Sequence, residues 1–477
     1  MYKMASICKR GATIMKSSLI RINLIFILLV LFIPNLTSAE TKTFIKEYTY
    51  RASEIDSKVS CRTIALEQVK RLLLEELGSY LESHTEVVDF KLTKHQIITL
   101  TAGIVQTQIL EEKWDGENYW LKAKINADPD VVIKSIDALR KNQSKTRELE
   151  ELTKRTEWLL RENEKLKNEL TTSKSKTKII GQYNQSIKEL KAIYLFREAT
   201  ALYDSGKIKE AINALSQSIE LSPKFAWAYY ARGVINYVLH NNRQAINDYD
   251  KAINYGSDID KANFYCARGG AYEAIENYQQ ALKDYNKSIK LDPKLDRGYL
   301  SRGYLNERME NYQQALKDFN RAIELNPGSI DGYLGRAYVY DITENYQQSI
   351  TEYNNVIRME PKNGEAYSGR GAVYSALEDY RHALEDYNKA IELNPGLYYS
   401  YSLRGNVHYF LKNYRQAIED YNTAIELNPK YAPTYWWRAN AYTKIDHIAQ
   451  ATNDYKTAAR LGHKESQDYL RSKGISW

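Results

Sequence analysis

The sequence predicts a mainly α-helical protein, a superhelical solenoid of α-α hairpins preceded by a small α+β domain and a short coiled-coil helix. The first observation is a 34-residue spacing kept by Pro293, Pro327, Pro361, Pro395 and Pro429, and also by Arg268, Arg302, Arg336, Arg370, Arg404 and Arg438. The second is that residues 40–143 lack this spacing and mix strand and helix periods. The third is a heptad pattern between these two regions.

Residues 1–39 are predicted to be a secretory signal peptide. Basic residues precede a ten-residue apolar run at 24–33, and Thr37-Ser38-Ala39 is a small-residue ending suited to cleavage after Ala39. The alternative is an uncleaved membrane anchor, although ten apolar residues are short for a bilayer span. We therefore expect an exported protein in the periplasm or cell envelope of a bacterium, in contact with a membrane only through this segment if it is uncleaved.

The formal charge of the chain is +7, but the signal segment carries much of it. It contains no acidic residue and five basic ones: Lys3, Lys9, Arg10, Lys16 and Arg21. The mature chain is therefore close to neutral, and nucleic acid is not expected as a partner.

Residues 40–143 are predicted to form a separate α+β domain. Residues 44–50 alternate like a strand, residues 61–81 have the apolar spacing of an amphipathic helix, and residues 106–114 and 119–125 form a predicted hairpin. The pattern resembles small exported α+β domains such as the N-terminal part of the flagellar assembly protein T family, and no function follows from it.

Residues 144–175 are predicted to form a coiled-coil helix, followed by a helical linker at 176–191. Apolar or core-compatible residues recur three and four apart: Leu149, Leu152, Thr156, Leu159, Asn163, Leu166 and Leu170. Asn163 at a core position favours a two-stranded parallel homodimer through residues 146–170. The alternative is a single charged helix that leads into the solenoid.

Each 34-residue unit is predicted to contain two helices. A column of small residues, including Gly303 and Ala315, sets a close helix approach, and an aromatic column, including Phe319, fills the space between hairpins. Asn311 and its equivalents stand before the second helix as candidate N-caps. An Asn-Pro, Asp-Pro or Glu-Pro pair then ends that helix.

These features resemble tetratricopeptide repeats. The resemblance covers eight units, at 192–225, 226–261, 262–295, 296–329, 330–363, 364–397, 398–431 and 432–465, followed by a C-terminal capping helix at 466–477. The arginine column departs from the family, where this position is usually apolar. We predict a ladder in which each arginine pairs with a carboxylate of the second helix, as in Arg302 with Asp318. The alternative is that the arginines extend into solvent.

No motif for catalysis or for cofactor or metal binding stands out. The seven histidines are scattered without a pair three or four apart, and neither Cys61 nor Cys266 has a local catalytic partner. We therefore predict no catalytic residue, no cofactor and no metal.

The remaining candidate is a recognition surface on the inner, concave wall that the resemblance implies. Its predicted residues lie on first helices: Arg297, Tyr304, Arg308, Tyr338, Asn406, Tyr409, Trp436, Asn440 and Lys444. Because aromatic residues and arginine are enriched where binding energy concentrates, we expect an interaction scaffold for protein or peptide segments. The alternatives are a cell-wall glycan or peptidoglycan-binding envelope protein and an enzyme with an unrecognised site in residues 40–143.

Overall fold

The computed structural model describes residues 41–84, 94–102, 104–141, 143–172 and 176–477, so the predicted signal peptide lies outside the described residues. The chain divides into two compact bodies. The N-terminal body contains the described residues up to Ala281, and the C-terminal body is Leu282–Trp477.

A three-stranded antiparallel sheet forms the β part of the N-terminal body. Its strands are β1 (Lys42–Arg51), β2 (Thr107–Trp114) and β3 (Asn118–Ala127), in the order β1-β3-β2. The predicted strand and hairpin are therefore confirmed. Alternate residues of β3 are buried, as expected for the central strand of a sheet with one covered face.

Helices α1 (Lys58–His84), α2 (Lys94–Thr101) and α3 (Pro129–Lys141) complete this part of the chain. The buried residues of α1 include Val69, Leu73 and Leu77, which follow the helical spacing predicted from the sequence. They share one hydrophobic core with the covered face of the sheet.

The heptad segment is one helix, α4 (Gln143–Thr172), and it pairs with a helix of the same chain. Helix α5 (Lys176–Asp204) follows it and runs antiparallel, because Arg155 makes two hydrogen bonds of 2.8 Å to Glu189. The seam of α4 is buried in this arrangement, with Leu159 fully enclosed and Asn163 only 2% exposed. Helix α5 is continuous through both the predicted linker at 176–191 and the first helix of the first repeat unit.

The homodimer through residues 146–170 stays a prediction, and the pairing of α4 with α5 bears on it. The apolar seam that a second chain would need is already covered within the chain. A heptad specifies that a seam must be covered, but it does not specify which helix covers it. In this chain the helix that covers the seam of α4 is α5, the next helix in the sequence.

Of the remaining helices, α6 pairs with α5, and α7 to α20 form consecutive hairpins with the predicted 34-residue period, followed by α21. In the N-terminal body they are α6 (Ile208–Leu221), α7 (Ala226–Val238), α8 (Asn242–Tyr255) and α9 (Asp258–Ala274). Helix α10 (Tyr278–Leu291) contains the boundary between the bodies. The C-terminal body contains α11 (Asp296–Arg308), α12 (Tyr312–Leu325), α13 (Ile330–Ile342), α14 (Tyr346–Met359), α15 (Gly364–Ala376), α16 (Tyr380–Leu393), α17 (Tyr398–Phe410), α18 (Tyr414–Leu427), α19 (Ala432–Lys444), α20 (Ile448–Arg460) and α21 (Lys464–Ser472).

Phe319 shows how the small and aromatic columns fit together. Its ring is fully buried between Gly303 of its own hairpin and Gly335 of the next. A Cβ atom placed on these glycines would lie 2.8 Å and 2.6 Å from ring carbons of Phe319. Glycine is therefore required at both positions by the close approach of the ring, which offsets its cost inside a helix.

The turns between paired helices contain a feature that the sequence analysis missed. In the seven hairpins from α7–α8 onward, one non-glycine residue per turn has a left-handed backbone with φ between 58° and 64°: His240, Glu276, Glu310, Glu344, Glu378, Lys412 and Asp446. The turn between α5 and α6 has Gly206 instead, with φ of 77°. The predicted N-caps are confirmed at Asn277 and Asp379, which accept hydrogen bonds of 3.3 Å from the amides of Gln280 and His382. They are wrong at Asn311, Asn345 and Asn413, which make no side-chain cap bond. Their ψ angles near 60° differ from the extended conformation typical of an N-cap.

Candidate interaction surface

The nine predicted surface residues all lie on first helices of the C-terminal body, on α11, α13, α17 and α19. The structure divides them into buried, partly committed and accessible side chains. Their positions along the helices are therefore as predicted, but their availability to a ligand differs.

Tyr304 and Asn406 are buried and cannot contact a ligand. Tyr304 is 4% exposed, its ring packs edge-on against Phe319, and its hydroxyl donates to the backbone oxygen of Asp331 at 2.7 Å. Asn406 is 5% exposed and accepts a 2.8 Å hydrogen bond from the Tyr421 hydroxyl. Both predictions were wrong because these side chains pack between helices.

Trp436 and Asn440 are partly committed to packing at the C-terminal end. The ring of Trp436 lies 5.1 Å from that of Tyr455 and 5.4 Å from that of His463. Asn440 accepts a 2.8 Å hydrogen bond from the Tyr455 hydroxyl. Only part of each side chain remains available for recognition.

The other five predicted residues keep accessible surface. Lys444 is exposed, and Arg297, Arg308, Tyr338 and Tyr409 are half-buried. They combine cationic groups with phenol rings, which suits contacts to both polar and apolar parts of a peptide. These five residues form the accessible set.

Tyr409 belongs to an aromatic cluster that the sequence analysis did not recognise. The C-terminal aromatic cluster consists of Tyr380, Tyr409, Phe410, Tyr414 and Trp437. Tyr409 and Phe410 lie 5.5 Å and 5.7 Å from Trp437, and the rings of Tyr380 and Phe410 are stacked with an interplanar angle of 6°. Phe410 is exposed, and burial raises the pKa of both Tyr380 and Tyr409. The cluster therefore forms an aromatic surface that contains no Lys, Arg, Asp or Glu side chain.

The predicted arginine ladder is confirmed. Arg302 donates to both carboxylate oxygens of Asp318 at 2.9 Å and 2.6 Å. Equivalent pairs form in five other hairpins: Arg232 with Asp248, Arg336 with Glu352, Arg370 with Asp386, Arg404 with Asp420 and Arg438 with Asp454. For Arg268, the structure shows a contact of 2.5 Å to Asp250.

Each ladder arginine also reaches the preceding hairpin, which the sequence analysis missed. The Nη1 atom of Arg302 donates to Asn286 at 2.6 Å, and that of Arg404 donates to Asn388 at the same distance. A tyrosine three residues earlier contacts the guanidinium face, as Tyr299 does with Arg302. The ladder therefore links successive hairpins as well as the two helices within each hairpin.

A second polar cluster lies inside the N-terminal body around Asp56. Its carboxylate accepts hydrogen bonds from the Ser53 amide at 2.8 Å, from Tyr50 at 3.2 Å and from Tyr183, and it lies 3.4 Å from Lys167. Burial tends to raise the pKa of Asp56, but the hydrogen bonds from Tyr183 and Ser53 lower it. The Asp56 side chain is inaccessible, so this cluster ties the sheet to α4 and α5 and offers no carboxylate to a substrate.

Within the described part of the chain, no group of three or more histidine, cysteine, aspartate or glutamate side chains is placed to hold a metal ion. Among the helices that the structure describes, none combines the length and the apolar character needed to span a membrane.

Comparison with known proteins identifies the hairpins. Models of the tetratricopeptide repeat match residues 262–295, 297–329, 330–363, 364–397 and 398–431, and a further model of this repeat matches residues 199–239. The chain contains tetratricopeptide repeats. These repeats make it a scaffold of the protein–protein interaction type. No protein of curated function matches the chain.

Solved structures of repeat proteins are similar to parts of the chain. A tetratricopeptide repeat protein from Parabacteroides merdae is 21% identical, with 55% of this chain and 98% of that chain covered and a TM-score of 0.42. The APC/C hetero-tetramer Cut9-Hcn1 is 16% identical, with 66% and 62% covered and a TM-score of 0.47. YrrB, described as having an unusual peptide-binding site, is 20% identical, with 40% and 98% covered and a TM-score of 0.31.

Proposed function

We propose that this tetratricopeptide repeat protein is an exported, non-enzymatic scaffold that binds peptide or protein segments on the first helices of its C-terminal repeats. The observation that carries the proposal is the accessible set: Arg297, Arg308, Tyr338, Tyr409 and Lys444. It places cations and phenol rings on helices that the repeat packing holds rigidly. A rigid surface reduces the entropy cost of binding an extended segment.

Photo-crosslinking in cells tests this surface. A photoreactive amino acid replaces Tyr338 or Tyr409 in turn, and the trapped products are identified by mass spectrometry. Arg381 is the matched control position, because its side chain is 79% exposed on α16, a second helix. Discrete products from the first-helix positions and none from Arg381 are expected. Identical products from all three positions would contradict the proposed surface.

Export is tested separately through the N-terminus of the mature protein. We expect mass spectrometry of protein recovered from the cell envelope to find an N-terminus at Glu40, because Thr37-Ser38-Ala39 suits signal-peptide cleavage. A charged substitution within the apolar run, Leu28→Arg, should keep the uncleaved protein in the cytoplasm. A mature protein that starts at Met1 in the cytoplasm would contradict export.

The C-terminal aromatic cluster favours one other ligand, a cell-wall glycan. Exposed aromatic faces stack on the apolar faces of sugar rings, and Phe410 and Trp437 lie 5.7 Å apart in this aromatic surface. Co-sedimentation with insoluble peptidoglycan separates the two candidates. Pelleting of the wild type but not of a Phe410→Ala variant would favour the glycan as ligand. If neither protein pellets, the result favours the peptide as ligand.

A further inference from the structure

A histidine caps the N-terminus of α21, the last helix of the chain. His463 stands where the preceding unit has Pro429, and it is only 6% exposed. Its Nδ1 atom accepts a 3.2 Å hydrogen bond from the backbone amide of Ser466 and lies 2.9 Å from the hydroxyl of the same residue. The first amides of a helix have no partner within the helix, so an acceptor at this position stabilises it. His463 is therefore the N-cap of α21.

This cap requires a neutral imidazole ring. A ring nitrogen accepts a hydrogen bond only when it carries no proton, and both nitrogens carry one in the charged form. Because the amide of Ser466 can only donate, the proton of the capping ring is on Nε2, which lies 3.4 Å from the carboxylate of Glu465. A charged ring would lose the cap and place a positive charge at the positive end of the helix dipole.

Helix α21 and its cap cover a tryptophan of the predicted interaction surface. The rings of His463 and Tyr469 lie 5.4 Å and 6.2 Å from that of Trp436 on α19. Leu470 is fully buried in the small core that Trp436 and Tyr455 also join. Opening of α21 would therefore uncover part of the first helix of the last repeat unit.

The charged groups around His463 do not replace the cap. On α19, α20 and α21 these groups are Arg438, Lys444, Asp454, Lys456, Arg460, Lys464, Glu465, Asp468 and Arg471. Arg438 is paired with Asp454 at 2.7 Å, and Arg471 with Asp468 at 3.0 Å. Glu465 attracts a charged ring, but its side chain is 46% exposed, so water screens this attraction. Glu465 is also only two residues away in the chain, so part of the attraction persists when α21 opens.

We propose that His463 is an acid-labile cap, which holds α21 over Trp436 while the imidazole is neutral and loosens it when the ring gains a proton. Histidine ordinarily changes charge between about pH 5 and 8. Because the neutral ring stabilises the closed state, this stabilisation is complete at alkaline pH and is lost as pH falls. Acid would thus add Trp436 to the accessible set. The cap acts within the last repeat unit whether or not the first helices bind a peptide.

Amide hydrogen exchange tests the cap in the whole protein. Protection of α21 is measured from about pH 8 to about pH 5 and corrected for the intrinsic exchange rate at each pH, with α12 as internal reference. Wild-type protection of α21 should fall by about fivefold relative to α12, the factor that corresponds to the loss of one typical N-cap. Protection that follows α12 at every pH would overturn the proposal.

Variants of two histidines separate the cap from general effects of pH. In His463→Asn, the side chain can cap α21 without titrating, so its protection should stay within about twofold across this range. His463→Asp should behave in the same way and serves if the first variant folds poorly. His447 is the matched control, because it stands at the N-cap position of α20 but makes no side-chain cap bond. His447→Asn should keep the wild-type pH slope of α21. A wild-type slope in both His463 variants would overturn the proposal.

Oxidative footprinting with mass spectrometry tests whether Trp436 is uncovered. Oxidation of Trp436 should increase in acid in the wild type but not in His463→Asn. Trp227 serves as internal reference, because it is only 3% exposed and lies in the second repeat unit, away from α21 in the sequence. Loosening of α21 without greater oxidation of Trp436 would overturn the proposed control of this surface.

Discussion

At the scale of single residues, the ladder arginine has partners both in its own hairpin and in the preceding one. Arg370 donates to both oxygens of Asp386 at 2.8 Å and 2.7 Å, bonds to Asn354 of the preceding hairpin, and lies 5.6 Å from the ring centroid of Tyr367. Asp386 is buried, and the guanidinium group of Arg370 donates to both of its carboxylate oxygens. One side chain thus stabilises contacts within a hairpin and between hairpins.

Removing this arginine should destabilise the repeats. Arg370→Ala leaves the buried Asp386 carboxylate without its bidentate partner, and we expect the free energy of unfolding to fall by about 2 kcal/mol. Urea unfolding measures the change. Arg381→Ala, on the exposed face of α16, should alter stability by less than about 0.5 kcal/mol. Equal effects of the two substitutions would show that the arginine column has no special structural role.

The left-handed turn residues predict a stabilising substitution. Glu344 has φ of 60°, a conformation that glycine adopts without the steric cost of a Cβ atom. Glu344→Gly should therefore raise the free energy of unfolding by about 1 kcal/mol. The same replacement of Glu385, an exposed position inside α16, should lower it by about 1 kcal/mol. Thermal unfolding of both variants checks whether their stabilities change in opposite directions. A loss of stability in Glu344→Gly would show that the left-handed backbone of Glu344 is not strained.

The sequence predicted the ladder pairs but not their links between hairpins. Arg302 and Asp318 could be matched because both recur with the same period on two helices of one hairpin. The contact of Arg302 with Asn286 depends on how neighbouring hairpins are offset, which the spacing alone does not specify. Tyr304 and Asn406 were misplaced for a similar reason. A small rotation of a first helix decides whether a side chain at its edge points outward or packs against the next helix.

At the scale of elements, α4 and α5 show the same limit of sequence patterns. The seam of α4 was visible because its apolar residues follow a strict heptad. Helix α5 gave no matching stripe, since Tyr183, Ile187, Leu190, Ala192 and Ile193 are buried on more than one side. A helix surrounded by neighbours loses the amphipathic pattern that would identify it as the partner.

The buried asparagine in this seam predicts a second stabilising substitution. Among the described contacts, neither polar atom of the Asn163 side chain has a hydrogen-bond partner, and the residue is enclosed between helices. Asn163→Leu removes the cost of burying this amide and should raise the free energy of unfolding by about 1 to 2 kcal/mol. Chemical denaturation provides the measurement. Asn168→Leu, at an exposed position of the same helix, should change the free energy of unfolding by less than about 0.5 kcal/mol. A clear loss of stability in Asn163→Leu would indicate that the amide has a partner, such as bound water.

The covered seam also predicts the oligomeric state through this segment. We expect sedimentation equilibrium at micromolar concentration to give the monomer mass, because residues 146–170 have no apolar seam left for a second chain. Leu159→Arg should then destabilise the monomer without changing a monomer–dimer balance. A dimer that dissociates when Leu159 is replaced would restore the parallel coiled coil.

At the scale of the whole molecule, the N-terminal α+β part is not packed independently of the first repeats. One hydrophobic core contains Phe44 of β1, Leu73 of α1, Leu159 of α4, Phe196 of α5 and Trp227 of α7. The C-terminal body has several smaller cores, including one around Tyr353 and Val373 and another around Ala439 and Tyr455. The two bodies thus differ in how far a local change in packing should spread.

This difference predicts how a core mutation propagates. Leu159→Ala should lower the free energy of opening throughout the N-terminal body by about 3 kcal/mol, because the enclosed side chain leaves a cavity in a shared core. In a repeat array each hairpin contacts mainly its neighbours, so α17 and α18 should keep their wild-type amide exchange. Val407→Ala, at a fully buried position of α17, should accelerate amide exchange in α17 and α18 and leave exchange in the N-terminal body at its wild-type rate. Exchange resolved by helix distinguishes these patterns, and equal acceleration in both bodies would mean that the chain unfolds as one cooperative unit.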